Sequence, residues 1–263
     1  MVAHKSTRWT VLASVALALL PLSCTPKVVS LPTAVPSSGE IAERLRQEDA
    51  KISTLRAAGV LRWKRGGQRG RAEHAMVLRR PAMLRLEGFT PLGTSAYSLT
   101  IHDGELQLFI PSEARVYQGV ASSGSLARFL SLPLEPEQAL SVLCGRVPLC
   151  AHFDAAILGE EGWVVLEIVC PSGWSQRIRL HPAGWNPAAI SFLDASGQRV
   201  LDVAWGDFRE VGGLSMPTQI HVEIPGTGDA LSMELQELEV NVPVSESVFQ
   251  LLVPPGTETS PLP

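Results

Sequence analysis

The sequence has none of the short motifs that mark common enzyme active sites. It contains no Gly-x-Ser-x-Gly nucleophile elbow, no Walker phosphate loop and no His-Glu-x-x-His zinc motif. The segment Gly66-Gly67-Gln68-Arg69-Gly70 could cradle a phosphate, but neither Lys-Thr nor a helical pattern follows it, which favours a hairpin turn. Glu160 and Glu161 are adjacent, a poor arrangement for paired catalytic carboxylates. We therefore expect no enzyme activity, no nucleotide and no other cofactor.

An excess of basic charge is also missing. Charged residues make up 18% of the chain and the net charge is -4. The first 23 residues hold Lys5 and Arg8, so their removal leaves 20 basic against 26 acidic side chains, a net charge of -6. Nucleic-acid binding requires a concentrated basic face, so no nucleic-acid partner is expected. Hydrophobic residues make up 45%, enough for a buried core.

No segment beyond the N-terminal region is long and apolar enough to span a bilayer. The run from Val11 to Leu20 has about ten residues, roughly half the length of a spanning helix, and a basic segment precedes it. This pattern predicts a signal peptide over residues 1–23. The run ends in Leu20-Pro21-Leu22-Ser23-Cys24, which resembles the lipobox of bacterial lipoproteins, where the cysteine becomes the lipid-modified N-terminus. The alternative is an ordinary secretory signal with an incidental cysteine.

Lipid attachment at Cys24 would be sufficient to hold the protein on a membrane. Each buried methylene contributes about 0.8 kcal/mol, and two or more acyl chains give stable attachment. By resemblance to lipoprotein sorting rules, Thr25 rather than Asp favours the outer membrane, with the folded part facing the periplasm. Residues 24–39 are rich in Pro and Ser and lack periodicity, which predicts a flexible tether after the anchor.

Cysteine is scarce, with four residues in the chain. No Cys-x-x-Cys and no neighbouring His pair occurs, so no metal site is expected. An oxidising compartment permits a disulfide, and Cys144 with Cys150 could close a short loop, which would leave Cys170 over. Buried, unpaired thiols are the alternative.

Hydrophobic periodicity predicts one helix followed by many strands. Ile41, Leu45, Ile52 and Leu55 recur at helical spacing from Glu40 onward. We expect Gly59 to end this helix. From Val60 the period changes to two, with a hairpin signal at Asp103-Gly104. A helical insert is predicted from two segments, Leu126 to Leu130 and Pro136 to Leu143.

Strand patterns resume after the insert and continue to residue 240. The predicted strands are Trp163 to Val169, Gln176 to Leu180, Ala189 to Leu193, Val200 to Trp205, Gln219 to Ile224 and Leu231 to Val240. One helix, many antiparallel strands and a helical insert predict an α+β domain with one large curved sheet over residues 40–242. Such a sheet could enclose an apolar cavity, or its own side chains could fill it. Residues 243–263 form an extension, with a loose Pro-rich tail from Pro254 to Pro263.

Several segments resemble LolB, the outer-membrane receptor that accepts lipoproteins from a periplasmic carrier, in the LolA/LolB superfamily. The most distinctive is Arg85 to Ser95, in which a strand runs into Pro91-Leu92-Gly93 and a second strand leaves it. The other matching segments keep the family's order along the chain and are Leu55 to Trp63, Pro133-Leu134 with Leu143-Cys144-Gly145, and Trp205 to Phe208 with Met216-Pro217.

The resemblance implies an open antiparallel half-barrel in which the N-terminal helix and the helical insert cover an apolar cavity. It further implies that Leu92 enters the lipid bilayer, held out by Pro91 and Gly93, with Phe89 adding to it. The alternative is that Leu92 folds back onto the core. The candidates for the cavity lining are Trp63, Leu86, Tyr97 and Trp205, and packing in a solid core is their alternative.

The function implied by the resemblance is binding of the acyl chains of lipoproteins and their insertion into the outer membrane. The expected partners are these acyl chains, a periplasmic LolA-like carrier and the membrane, and the protein is expected to be a monomer. Two alternatives remain from the sequence. One is a carrier or sensor of another hydrophobic ligand, and the other is a structural envelope lipoprotein whose cavity is filled.

Overall fold

The structure is a computed structural model that describes Met1, residues 36–160 and residues 162–262. The signal peptide, Cys24 and nearly all of the tether therefore lie outside the described residues. The first element is helix α1, Ser38–Ala50. Ser37 caps it, because its hydroxyl accepts from the Glu40 backbone N–H while the Glu40 carboxylate accepts from the Ser37 N–H. Ile41, Ala42 and Leu45 form its buried face.

Six strands follow as an antiparallel meander. They are β1 (Thr54–Arg65), β2 (Gln68–Arg79), β3 (Met83–Phe89), β4 (Ser95–His102), β5 (Glu105–Ile110) and β6 (Arg115–Val120). The predicted turn at Asp103-Gly104 joins β4 to β5, and both residues have a positive φ.

The predicted helical insert is confirmed as two short helices, α2 (Ser123–Leu130) and α3 (Pro136–Leu143). Pro136 occupies the first turn of α3, where its missing N–H costs no hydrogen bond. Gly145 follows α3 with a φ of +69°. A side chain at Gly145 would also collide with the Pro217 ring, which explains why glycine stands here.

Seven further strands form a second meander. They are β7 (Asp154–Glu160), β8 (Trp163–Val169), β9 (Ser175–Leu180), β10 (Pro187–Leu193), β11 (Arg199–Val211), β12 (Leu214–Ile224) and β13 (Asp229–Val240). Strand β1 pairs with β13, so the two meanders form a single sheet. A fourteenth strand near the C-terminus joins one edge in parallel. The described part of the chain thus contains a 14-stranded sheet whose other pairings are antiparallel. The predicted α+β class with one large antiparallel sheet is confirmed.

The buried face of this sheet, called the inner face here, packs against the three helices. Leu55, Leu78, Ile101, Leu166 and Ile178 are representative of its fully buried side chains. They belong to one cluster with Leu126 of α2 and Leu140 of α3. The opposite, outer face carries alternating polar residues, as expected for an antiparallel sheet with one face buried.

The first helix ends earlier than predicted, and Gly59 lies in strand β1. The chain leaves α1 at Lys51, where the Asn241 amide donates to the Lys51 carbonyl and its oxygen accepts from the Ser53 N–H. Gly59 sits at a register shift between β1 and β13. A Cβ there would lie 1.9 Å from the Glu234 carbonyl oxygen, so the glycine permits close approach of two backbones. The sequence pattern could not distinguish a glycine that ends a helix from a glycine that lets two strand backbones approach closely.

The C-terminal extension is ordered, in contrast to the loose tail expected from its prolines. Residues 243–262, called the strap here, cross the outer face and end in strand β14 (Glu258–Pro261), which pairs in parallel with β6. Phe249 of the strap is buried, and the Arg79 guanidinium lies over its ring. The Arg85 guanidinium donates to the Val248 carbonyl at 2.9 Å. The strap therefore covers part of the outer face and satisfies the exposed edge of β6.

Candidate functional site

A cavity of about 510 Å³ lies on the inner face of the first meander, below the C-terminal end of α2. Strands β1, β2, β4, β5 and β13 form its floor and sides. Its lining is Leu61, Trp63, Arg65, Ala72, Ala96, Tyr97, Leu99, Leu108, Ile110, Phe129, Leu130, Ser131 and Leu231. The volume is in the range of small-molecule sites, and the predominantly apolar lining suits a hydrocarbon ligand.

Two aromatic residues on the floor lie flat against glycines of the neighbouring strand. Trp63 is paired with Gly70, and Tyr97 is paired with Gly88. A Cβ on Gly70 would lie 1.9 Å from the Trp63 ring, and one on Gly88 would lie 2.2 Å from the Tyr97 ring. Because the glycines carry no side chain, the rings rest on the strands rather than standing upright in the cavity. This arrangement gives the floor aromatic surface while keeping the space above it open.

Few polar groups reach this cavity. Arg65 is the one charged residue of its described lining, and its guanidinium donates to the Arg128 carbonyl at the end of α2. Burial raises the pKa of Tyr97 to about 12, so this phenol stays neutral. Ser131 follows α2 with a φ of +53°. A neutral, largely apolar ligand with one polar group fits this chemistry better than an anion or a cation.

The loop between β3 and β4 presents an apolar side chain to solvent. Thr90 and Thr94 close the loop through a backbone hydrogen bond of 2.8 Å and a contact of 2.7 Å between their hydroxyl oxygens. Gly93 adopts a φ of +77°, which favours glycine, and its N–H donates to the Thr90 carbonyl. Leu92, at the tip, is 91% exposed. It does not fold back onto the core.

The other residues of this predicted loop site are placed differently. Pro91 is exposed beside Leu92, whereas Phe89 ends strand β3 half-buried, paired with Ser95. The loop leaves the sheet beside the cavity, because Phe89 pairs with Glu73, one residue from the lining residue Ala72. Trp63 is 37% exposed at the same end of the strands. The cavity mouth and Leu92 therefore lie at one rim of the sheet.

Two of the predicted lining residues do not reach this cavity. Leu86 is buried within the core cluster. Trp205 lies beneath α3, where its indole N–H donates to the Val142 carbonyl at 3.0 Å. Helix α3 packs on the inner face of the second meander and covers Trp205 there. Trp63 and Tyr97 do line the cavity, and sequence reasoning missed Ala72, Ala96 and Phe129, which alternation alone does not separate from core residues.

A buried histidine lies next to the cavity lining on β2. His74 is two residues beyond Ala72 on the inner face and pairs with Gly59 on one side and Gly88 on the other. Neither ring nitrogen makes a hydrogen bond of normal geometry with the described residues. Burial lowers the pKa of His74 to about 4, and the nearby backbone of Gly59 offsets this only in part. The imidazole is therefore neutral at physiological pH.

The disulfide differs from the predicted one. Cys150 is bonded to Cys170, and Cys144 is a buried thiol at the end of α3. Cys144 points into the core because its backbone still makes the last helical hydrogen bonds, whereas Cys150 lies beyond the following turn. Cys170 opens the β8–β9 turn, where its N–H donates to the Trp174 carbonyl. The turn residues after Cys170 are the sequence signal that could have placed this cysteine at the end of a strand.

A metal site and a membrane-spanning helix are both missing from residues 36–160 and 162–262. No group of three or more His, Cys, Asp or Glu residues there could hold a metal ion. No described helix combines the length and apolar composition needed to cross a membrane.

Comparison with known proteins identifies the fold. No family model and no curated protein matches the chain. A DUF1329 family protein from Desulfovibrio piger aligns with a TM-score of 0.61 at 17% identity over 81% of this chain and 95% of that one. A protein domain from Vibrio parahaemolyticus described as outer membrane lipoprotein-sorting aligns with a TM-score of 0.56 at 15% identity, covering 81% and 97%.

A third structure, a LolA superfamily protein from Nitrosomonas europaea, aligns with a TM-score of 0.56 at 10% identity, covering 82% of this chain and 99% of that one. Identities this low establish the architecture without the activity. The chain shares the curved, open-sheet fold of LolA superfamily proteins.

Proposed function

We propose that this protein is a lipid-anchored outer-membrane protein that holds the acyl chains of lipoproteins in its cavity and helps insert them into the membrane. The observation that carries the proposal is the common position of the apolar cavity and the exposed Leu92 at one rim. A chain leaving the cavity at this rim would emerge beside the side chain best placed to enter a bilayer.

The chemistry of the lining supports a transfer without covalent steps. Each methylene that leaves water gains about 0.8 kcal/mol in either the cavity or the bilayer, so moving between them is nearly balanced. Such an exchange needs no nucleotide, and its direction would follow from the much larger capacity of the membrane. We propose that a soluble periplasmic LolA-like carrier supplies the acyl chains and that the protein acts as a monomer.

The membrane contact of the loop is too weak to act alone. Burial of one leucine contributes about 1.5 to 3 kcal/mol. Lipid attachment at Cys24 would supply the stable anchor, and residues 24–39 would give the folded part enough reach for Leu92 to approach the bilayer. Phe89, Pro91 and Gly93 would hold the leucine in place.

Filling the cavity tests the proposal. Ala72→Phe places a ring in the cavity, whereas the control Ala204→Phe adds the same ring at an exposed position on β11. We expect Ala72→Phe to lower the affinity for a triacylated lipopeptide at least tenfold and Ala204→Phe to leave it unchanged, measured by fluorescence titration. Equal affinities for wild type and Ala72→Phe would contradict the cavity as the acyl site.

A second candidate function is carriage or sensing of another hydrophobic ligand. The Tyr97 phenol, which makes no hydrogen bond with the described residues, and Ser131 favour a ligand with one polar group. Mass spectrometry of lipids and lipoproteins that copurify with the protein distinguishes the candidates. A lipoprotein supports the first, and a free lipid without protein supports the second.

A further inference from the structure

The outer face of the β1–β2 hairpin carries four basic side chains near its tip. Strand alternation places Arg62 and Lys64 of β1 on the face opposite the cavity, because Leu61, Trp63 and Arg65 line the cavity. On β2, Arg71 stands directly opposite Arg62, and Arg69 stands directly opposite Lys64. These four residues, Arg62, Lys64, Arg69 and Arg71, are called the cationic hairpin face here.

This arrangement is unfavourable for the fold itself. Like charges directly opposite each other on neighbouring strands are destabilising. Arg62 forms an ion pair with Glu234 at 3.1 Å, but Lys64, Arg69 and Arg71 form none within the described ranges. Asp229, an acidic residue at the tip, accepts a hydrogen bond from the Gly66 N–H. Two pairs of directly opposed cations, in a chain whose net charge is -4, therefore indicate a binding partner outside the chain.

The cationic hairpin face lies at the same rim as Leu92. Glu73, two residues after Arg71, pairs with Phe89, from which the Leu92 loop leaves the sheet. The half-exposed Trp63 belongs to the same hairpin. Cations with long alkyl stems, a tryptophan and an exposed leucine together match the layers of a membrane interface, where charges contact head groups and apolar groups lie deeper.

We propose that the cationic hairpin face binds the surface of an anionic lipid bilayer and thereby directs the cavity mouth and Leu92 toward the membrane. This inference rests on the proposed acyl-transfer function, to which it adds the membrane charge that the protein recognises. Each basic side chain near an anionic surface strengthens binding roughly fivefold at low salt. The attraction decays within a Debye length, about 8 Å at physiological ionic strength, so it is sensitive to salt.

Vesicle binding tests this inference on the full chain carrying Cys24→Ser, which removes the lipid anchor. The probes are vesicles of phosphatidylcholine alone and of phosphatidylcholine with phosphatidylglycerol in equal parts, separated from unbound protein by sedimentation. We expect binding to the anionic vesicles that weakens as salt is added, and much weaker binding to the neutral vesicles. Equal binding to the two vesicle types would overturn the inference.

Charge reversal identifies the face. Arg69→Glu with Arg71→Glu should reduce binding to the anionic vesicles at least about 25-fold, roughly fivefold for each of the two cations lost. The matched control is Arg44→Glu with Arg209→Glu, which changes the net charge equally at exposed positions on α1 and at the far end of β11. An equal loss in the control would show that net charge, rather than this face, governs binding, and would overturn the inference.

The same variants separate this inference from the acyl-site proposal. Arg69→Glu with Arg71→Glu removes like-charge pairs, so its thermal stability should be unchanged or higher, and its affinity for a triacylated lipopeptide should equal that of the wild type. Ala72→Phe should show the opposite pattern, with normal vesicle binding and lost lipopeptide binding. If the hairpin variant lost acyl delivery while keeping vesicle binding, the face would serve a protein partner and the lipid inference would be wrong.

Discussion

At the scale of single residues, glycine has several distinct uses in this sheet. Gly70 and Gly88 make room for the Trp63 and Tyr97 rings, and Gly59 lets the Glu234 carbonyl approach β1. The neighbouring His74 then lies between two positions without side chains. Buried polar groups are costly when they lack hydrogen bonds, so His74 is a destabilising residue in a structure that is otherwise packed with apolar side chains.

The buried imidazole predicts a pH dependence of stability. The pKa of His74 falls from 6.5 to about 4 in the folded protein. Stability is therefore unaffected by this group above pH 6.5 and decreases by about 3 kcal/mol as the pH falls to 4, because the unfolded chain binds the proton more readily. His74→Leu should remove this part of the dependence and raise stability near neutral pH, as measured by urea denaturation at several pH values.

The control for this measurement is His221→Leu at an exposed site on the outer face. This variant leaves the buried imidazole of His74 in place, so the pH dependence that His74 causes should persist. A His74→Leu protein whose stability falls with pH as steeply as that of the wild type would contradict the assignment.

At the scale of elements, the strap covers part of the outer face as a second layer. The Glu246 carboxylate accepts from the Arg79 guanidinium at 2.9 Å, and this bond lowers the pKa of Glu246. Phe249 fills the space below, and Leu262 lies over Gly119, where a Cβ would be 2.9 Å from it. Strand β14 pairs in parallel with β6, whose outer edge would otherwise have no partner strand. The prolines of the strap are confined to its connections and its edge strand, where no ladder hydrogen bond is lost.

The strap predicts two different outcomes for neighbouring apolar truncations. Phe249→Ala removes a fully buried ring and should lower the free energy of unfolding by about 3 to 5 kcal/mol. Leu252→Ala, three residues later, truncates a side chain that is 86% exposed and should change it by less than about 0.5 kcal/mol. Urea denaturation compares them, and similar losses would show that the strap does not pack as described.

At the scale of the whole molecule, the two meanders have different roles. Helix α3 packs over Trp205 in the second, whereas the first keeps an apolar cavity of about 510 Å³ beneath the end of α2. The structural alternative with a completely filled interior does not describe this arrangement. Because Leu92 is not one of the residues that line the cavity, mutations can test the proposed acyl binding and the proposed membrane entry separately.

Leu92→Glu should separate them. A carboxylate at the loop tip opposes entry into the hydrocarbon region but lies outside the cavity lining, so we expect normal binding of acyl chains and a loss of delivery to membranes. The measurement is transfer of a labelled lipoprotein to vesicles, with Leu92→Met as the control that keeps an apolar tip. Unchanged delivery by the glutamate variant would contradict a membrane role for the loop.

Much of the architecture followed from the sequence, because alternation of apolar and polar residues reflects burial on one face of a sheet. The strands from Trp163 to Val240 and the helical insert were predicted from local patterns, whereas the exposed Pro91-Leu92-Gly93 turn was predicted from the family resemblance. Lipid attachment at Cys24 and the outer-membrane location remain predictions. Strand β7 was missed, since its four apolar residues are consecutive rather than alternating with polar ones.

What the sequence determined by itself was therefore the local conformation and the buried face of the strands that alternate clearly between apolar and polar residues. Tertiary structure alone decided which cysteines meet, that Gly59 belongs to a strand, that Phe249 is buried, and where a cavity remains. These outcomes depend on contacts between residues far apart in the chain, such as Cys150 with Cys170 and Asn241 with Lys51. A local pattern indicates whether a side chain is buried. Which residue it contacts is decided only by the long-range pairing of strands, such as β1 with β13.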